Sequence, residues 1–383
     1  MKSNNVKALV LDGPGRQILP IIKGLHECKC HITTLNYSKL DVGYASRYPR
    51  KKILEKNIEN NLQAIIEVVE KELKTGTYDV LIPLSDSLTE LIAKRKDDYL
   101  KYIKPIVPSY DIFIKAYDKQ KTMEICQKIG VANTLTRLKG ESVVKFIEKV
   151  KFPIVLKPRR ACGSVGFHCV RSEEELRLLL DQIDFEEYVM QEYIQQSGKQ
   201  FNVHLFMDSK GELSFAVPTE KCRWFPTDGG ASCFCRIVEQ PSLIEPCKKL
   251  LREIQWQGYC EIELIEDTKD GIIKIIEING RPSASIKICE LGGINVVKNM
   301  LELAYDKPVT HQKVRFQDMR MRCIHTDLLW LFKSTERWKA RPIWFNNRHT
   351  HDQIFSISDP WPFVTFSIAA FGKYKKEMEK RRR

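Results

Sequence analysis

The hydrophobic positions of this chain follow two alternating patterns. Short β-branched runs bounded by glycine or proline predict buried strands, and segments with apolar residues every three to four positions predict helices. VKALVLDGPGRQILPIIKGL opens with a strand run, turns at Gly13-Pro14-Gly15 and continues with helical spacing. CHITTLNY predicts a second strand, NLQAIIEVVEKELKTG a helix ending at Gly76, and YDVLIPLSD a strand that delivers Ser85 and Asp86 to its C-terminal end. Ligands of parallel sheets gather at such ends, so this pair either meets a substrate or caps the next helix. The alternation predicts a small doubly wound α/β domain over residues 1–112. Its turn is not the G-x-G-x-x-G of dinucleotide sites.

Beyond it the pattern changes. YDKQKTMEICQKIGVANT predicts a helix from Lys119 to Lys128 closed by Gly130. FPIVLKPRRACGSVGFHCV reads as strand, small-residue loop and strand, and SEEELRLLLDQI opens with a capping box of Ser172 and Glu175. VMQEYI begins a new segment. The strand patterns KQFNVHLFMD, ELSFAVPTEK, CEIELIED and GIIKIIEING follow, then a helix that ends at Pro308. Residues 309–383 show no strong period, although four of the six tryptophans lie there.

Composition narrows the class. The 383 residues suffice for two or three domains, and 43% hydrophobic with 29% charged residues is usual for a globular chain. No apolar run approaches bilayer length and MKSNNVKALV lacks a signal-peptide layout, so a cytoplasmic location is expected. The twelve cysteines contain no C-x-x-C; Cys233 and Cys235 read as strand neighbours, and reduced thiols without dedicated zinc are expected. Of the net charge of +13, the last eleven residues, KYKKEMEKRRR, hold seven basic and two acidic side chains, and the rest reads as diffuse. No nucleic-acid-binding motif is present, and no nucleic-acid partner is expected.

EINGRPSAS raises the chemical question. On a strand Glu277, Asn279 and Arg281 project to one side in a row about 13 Å long. Three such groups left buried and unpaired would cost several kcal/mol, so they must meet something. The other polar residues at strand and helix ends are Lys119, Lys157, the loop residues Gly163, Ser164 and Gly166, and Glu263 beside Glu261. Lysines and loop amides neutralise phosphate oxygens, and magnesium takes a few carboxylates and borrows phosphate oxygens. Together they form a set suited to Mg-ATP.

In order and spacing the chain resembles the ATP-grasp superfamily over roughly residues 119–308, in particular its carbamoyl-phosphate-synthase-like and D-aspartate-ligase-like members. The resemblance rests on DKQKT, FPIVLKP, RRACGSVGF, QEYI, EIELIE and EINGRPSAS. It implies a fold of α/β and α+β class: a Rossmann-like pre-ATP-grasp domain (1–112), a central and lid part (113–190), a C-terminal lobe (191–308) and an extension with a basic tail (309–383). It implies that Lys119, Lys157, Gly163, Ser164 and Gly166 bind ATP phosphates and that Gln191, Glu192, Tyr193 and Ile194 form the adenine hinge. Glu263, Glu277 and Asn279 would hold magnesium, or manganese in its place, and Arg281 would act catalytically on the transferred phosphoryl group.

Three departures stand out. Gln200 occupies a place where many members carry a ribose-binding glutamate, and the lid loop carries Arg159, Arg160 and Cys162 with few glycines. A proline usually stands where this chain has Gly280.

The implied reaction is ADP-forming carboxylate–amine ligation through an acyl phosphate, on small-molecule carboxylate and amine substrates, such as an amino acid or a cell-surface precursor. The alternatives are a carboxyphosphate-forming enzyme, an ATP-grasp kinase and a nucleotide-binding module. Lys221 and Arg223 in TEKCRWF are either substrate contacts or exposed strand positions. In the tail, Phe363, Phe366 and Phe371 with the basic run suit either weak peripheral membrane contact or core packing with a solvated end.

Overall fold

The computed structural model describes residues 6–161, 165–195, 197–227 and 229–382; of these, Phe371 and residues 373–382 are described by backbone alone. The first layer is a parallel sheet of β1 (Lys7–Val10), β2 (His31–Asn36), β3 (Lys51–Leu54), β4 (Val80–Ile82) and β5 (Lys104–Pro105), in the order β3-β2-β1-β4-β5. The chain reverses its winding direction at β1, so the turns after β1 and β4 open side by side at the sheet's C-terminal edge. Asp12 ties them together: its Oδ2 accepts from the backbone N–H of Leu84 at 2.9 Å and of Ser85 at 2.8 Å.

A small antiparallel sheet follows, β7-β6-β8, made of β6 (Ile154–Pro158), β7 (His168–Val170) and β8 (Tyr188–Glu192). Helices Val143–Val150 and Glu173–Leu180 cover it, and Phe146, Ile154, Leu156, Val170, Leu176 and Met190 form its core. Ser172 caps the second helix, accepting from Glu175 N–H, while the Glu175 carboxylate returns to Arg171 N–H rather than to the cap residue itself. The boundary expected between residues 190 and 191 falls inside β8, all of which pairs with β6.

The large sheet contains β9 (Gln200–Met207), β10 (Leu213–Phe225), β11 (Ala231–Ile237), β12 (Gly258–Glu266), β13 (Ile273–Asn279), β14 (Arg320–Arg322) and β15 (Thr350–Asp352). Its order is β13-β12-β9-β10-β11-β14-β15, antiparallel except for the last pair. Residues 309–383, aperiodic in sequence, thus supply two strands to this sheet, together with helices Ile324–Lys333 and Trp361–Arg382. Three-residue strands are too short for period-2 alternation to register.

A bulge in β10 separates two residues that simple alternation places together. Lys221 pairs with Cys235 and Arg223 with Phe234, leaving Cys222 as the extra residue. Arg223 is therefore neither a substrate contact nor an exposed strand position. It is fully buried, donates from Nε and Nη2 to the two oxygens of Asp327 at 2.7 and 3.0 Å, and stacks 3.9 Å over the Phe234 ring. The described cysteines are all free, as expected for reduced thiols.

Candidate active site

The site is assembled on the edge of the large sheet. In the β12–β13 register Glu261 faces Asn279 and Glu263 faces Glu277, so strand alternation places all four on one face. Asn279 Nδ2 donates to Glu263 Oε1 at 3.2 Å, and Lys221 donates to Glu263 Oε2 at 2.5 Å. From the helix Lys119–Lys128, Lys119 reaches Glu277 Oε2 at 3.3 Å and donates to the Ala161 carbonyl at 2.6 Å. Lys157, on β6, completes the cationic side. Burial, with the Lys119 charge in support, pulls its ammonium down to about 8, while Glu277 and Glu263 oppose that pull.

The carboxylates respond in opposite directions. Burial works against the charged form of Glu277, but the ammoniums of Lys119 and Lys157 hold its carboxyl below the usual range. Glu261 lies one step deeper and is pushed upward, first by burial and then by the charge of Glu263. Asn202 and Ser285 donate to its two oxygens, and His204 Nδ1, hydrogen-bonded to the Tyr259 hydroxyl at 2.8 Å, lies 3.9 Å from Oε2. The row therefore has an ionised outer part and a hydrogen-bonded floor.

Arg281 leaves the strand end toward the N-terminal domain, where its Nη2 donates to Asp86 Oδ2 at 2.8 Å. Asp86 begins the helix Asp86–Lys94, whose cap residue Ser85 makes no side-chain cap bond; of the two residues at the end of β4, Asp86 is the one that reaches the neighbouring domain. Gly280 packs against Trp256: a Cβ there would lie 2.7 Å from the ring, which explains why this chain departs from proline at that place.

The hinge residues adjoin the site. Gln191 is buried, with its amide donating to Thr136 Oγ1 at 2.7 Å. Glu192 accepts from Leu135 N–H at 2.9 Å and from Lys274 at 3.1 Å; Tyr193 and Ile194 continue past the strand end. Gly166 has φ +69°, and a Cβ there would meet the Pro158 ring at 2.8 Å, next to Lys157. Gly163 and Ser164 lie outside the described residues.

Several contributors lie outside the set that the sequence predicts. Asn202 and Ser285 hold Glu261, Lys274 bridges Glu192 and Asp267, and Asp118 binds Arg159 at 2.6 Å at the foot of the loop. Asn202 was discoverable, because β9 is apolar except at Gln200, Asn202 and His204, which alternate onto one face. Lys221, expected as a substrate contact or an exposed strand position, is not exposed: its side chain is 9% accessible and paired to Glu263. Among the described residues no group of three or more His, Cys, Asp or Glu side chains forms a self-sufficient metal cage.

Residues 116–285 match the ATP-grasp domain family, and the chain carries a domain of that family. Over 251 residues it is 23% identical to the D-aspartate ligase of Enterococcus faecium, covering 60% of this chain and 59% of that one. It is 31% identical over 138 residues to the D-alanine–D-alanine ligase of Sulfurimonas denitrificans, covering 36% and 39%. The chain thus spans about three fifths or less of these curated relatives. The biotin carboxylase of Campylobacter jejuni, crystallised with an ATP analogue, superposes with a TM-score of 0.66 at 20% identity, covering 78% of this chain and 71% of that one; it has the same fold.

Proposed function

We propose that the protein is an ADP-forming carboxylate–amine ligase that uses Mg-ATP. The observation that carries this reading is the convergence of Lys119 from a helix, Lys157 from β6 and Lys221 from β10 on Glu263, Glu277 and Asn279 of β12 and β13. Two carboxylates and an amide oxygen, without a third anionic ligand, fit magnesium, which keeps few protein ligands and shares phosphate oxygens. Glu263, Glu277 and Asn279 would hold it, and the bound ion would neutralise charge on the transferred phosphoryl group.

The chain's own residues then divide the work. Lys119 and Lys157 neutralise phosphate oxygens, and the hinge around Glu192 to Ile194 offers backbone groups to the base. Arg281, oriented by Asp86, supplies a guanidinium fork where negative charge develops. The γ-phosphoryl of ATP passes to a substrate carboxylate, ADP leaves, and an amine displaces phosphate to form the amide. Positioning and charge neutralisation supply most of the catalysis, since phosphoryl transfer needs little covalent help. The relatives' names, D-aspartate ligase and D-alanine–D-alanine ligase, favour an amino acid as one substrate.

The test is phosphate release from ATP with pools of D- and L-amino acids, followed by product mass. An amide product with one ADP and one phosphate per turnover is expected. A phosphorylated hydroxyl product would make the protein a kinase, and nucleotide binding without turnover across all pools would make it a binding module.

A further inference from the structure

The helix Trp361–Arg382 has two apolar sides, and the fold uses one of them. Phe363 and Phe366 lie against the ring of His325 at centroid distances of 5.1 and 5.0 Å, and Ser367 bonds that imidazole at 2.8 Å. This side meets Ile324–Lys333 through His325, and the helix also packs on the short helix Val42–Ala45. Spacing of three and four residues puts Trp361, Val364 and Ile368 on the opposite side, in one stripe. These are 64%, 42% and 57% exposed, and Ile357, in the loop that leads into the helix, is 90% exposed.

An outward stripe of this kind would be trivial if its surroundings were neutral, because single exposed apolar residues are common. They are not neutral. Residues 309–383 contain sixteen Lys and Arg against seven Asp and Glu, so +9 of the chain's +13 resides in this part, and the charge is not diffuse. The helix backbone runs on from the apolar stripe directly into KYKKEMEKRR. A second copy of the chain fits this surface poorly, since a two-fold contact would bring two strongly basic segments together. An anionic bilayer fits both features: the stripe enters the headgroup boundary, and the sequence that continues the helix brings a basic run close to the charged surface. Among the described residues no helix is long and apolar enough to cross a membrane, so the contact is lateral.

We infer that Ile357 and the outer stripe of helix Trp361–Arg382, followed by its basic continuation, form a peripheral docking surface for anionic lipid bilayers. Docking is built from the half of the helix that the core leaves unused, and the Phe363–His325–Phe366 contact fixes which half that is. It does not depend on ATP and stands apart from the ligase reading.

The experiment is co-sedimentation of the full chain with vesicles of phosphatidylcholine alone and of an equal mixture with phosphatidylglycerol, at low and high salt. Wild type is expected to pellet with the anionic vesicles only and to be released by salt. Ile368→Asp, and separately the pair Lys375→Glu and Lys376→Glu, should each weaken partitioning about tenfold or more, with thermal melting unchanged. Wild type left in the supernatant with anionic vesicles would overturn the inference, as would undiminished pelleting of folded variants. Conversion of a stable dimer to monomer by Ile368→Asp, without vesicle binding by wild type, would assign the stripe to a second copy. Should Ile368→Asp fail to fold, the double charge reversal decides alone.

Discussion

Glu277 stands between two ammoniums, which makes its charge the most consequential in the site. Glu277→Gln keeps the shape and removes the charge, so turnover should fall by about a hundredfold or more with a near-native circular dichroism spectrum. Wild-type phosphate release from that variant with magnesium present would remove Glu277 from the proposed metal site. Lys157 gives a pH signature. Its ammonium, drawn down to about 8 by burial, is charged below that pH and neutral above it. Nucleotide affinity should therefore decline as pH rises from 7 to 9. Titration calorimetry of Lys157→Met should show weaker binding with a flatter pH dependence. His204 acts on stability instead. Burial holds its imidazole down to about 3, with Nε2 lacking a hydrogen-bond partner, so below the ordinary value near 6.5 the unfolded chain takes up a proton that the folded chain refuses. Stability should fall on acidification by about 1.4 kcal/mol per pH unit from this group. Glu261, whose carboxyl is raised, works in the opposite sense, so the comparison must be between wild type and His204→Gln. Urea midpoints at neutral and mildly acidic pH should drop less in the variant.

At the scale of elements, the helix Lys119–Lys128 and strand β13 were legible because a capping aspartate, a closing glycine and a β-branched run each leave a strong local mark. Asp118 does cap that helix, accepting from Gln120 N–H at 3.0 Å. The β10 bulge left no such mark. It depends on pairing with β11, a contact between segments, and it reversed the assignment of Arg223. Strands β14 and β15 were invisible for a similar reason: their partners define them. The buried pair Arg223–Asp327, shared with Arg322 at 2.6 Å, binds the strand β10 to the helix Ile324–Lys333. Removing one member leaves an uncompensated charge in the interior, so Asp327→Ala should destabilise by about 3–5 kcal/mol. A denaturant midpoint within experimental error of wild type would contradict that role.

The molecule as a whole is joined across its domains by polar contacts that no single segment announces. Arg281 meets Asp86, Lys23 meets Glu290, and Ser46 Oγ donates to Asp359 at 2.5 Å, so the N-terminal domain is gripped from both the segment after β13 and the C-terminal segment. The sequence displayed the row itself, because EINGRPSAS concentrates its polar groups in nine residues, but not the distant carboxylate that orients its arginine. Asp86→Asn should reduce turnover while leaving nucleotide affinity near wild type, since Asp86 touches the arginine and not the lysines. An equal loss in both would place Asp86 among the nucleotide-binding groups.

The pair Lys119–Glu277 has a further consequence. Lys119, one of the two lysines that would meet an incoming polyphosphate, already has a carboxylate partner, and drawing it to phosphate leaves that carboxylate facing another anion. The exchange balances only when a divalent cation arrives with the nucleotide. Nucleotide and metal should therefore show strong positive cooperativity, each poor at entering alone. Calorimetric titration with ATP under chelator, compared with ATP plus magnesium, should display that thermodynamic reciprocity as a gain in affinity on adding the ion, and a matching gain for magnesium on adding the nucleotide.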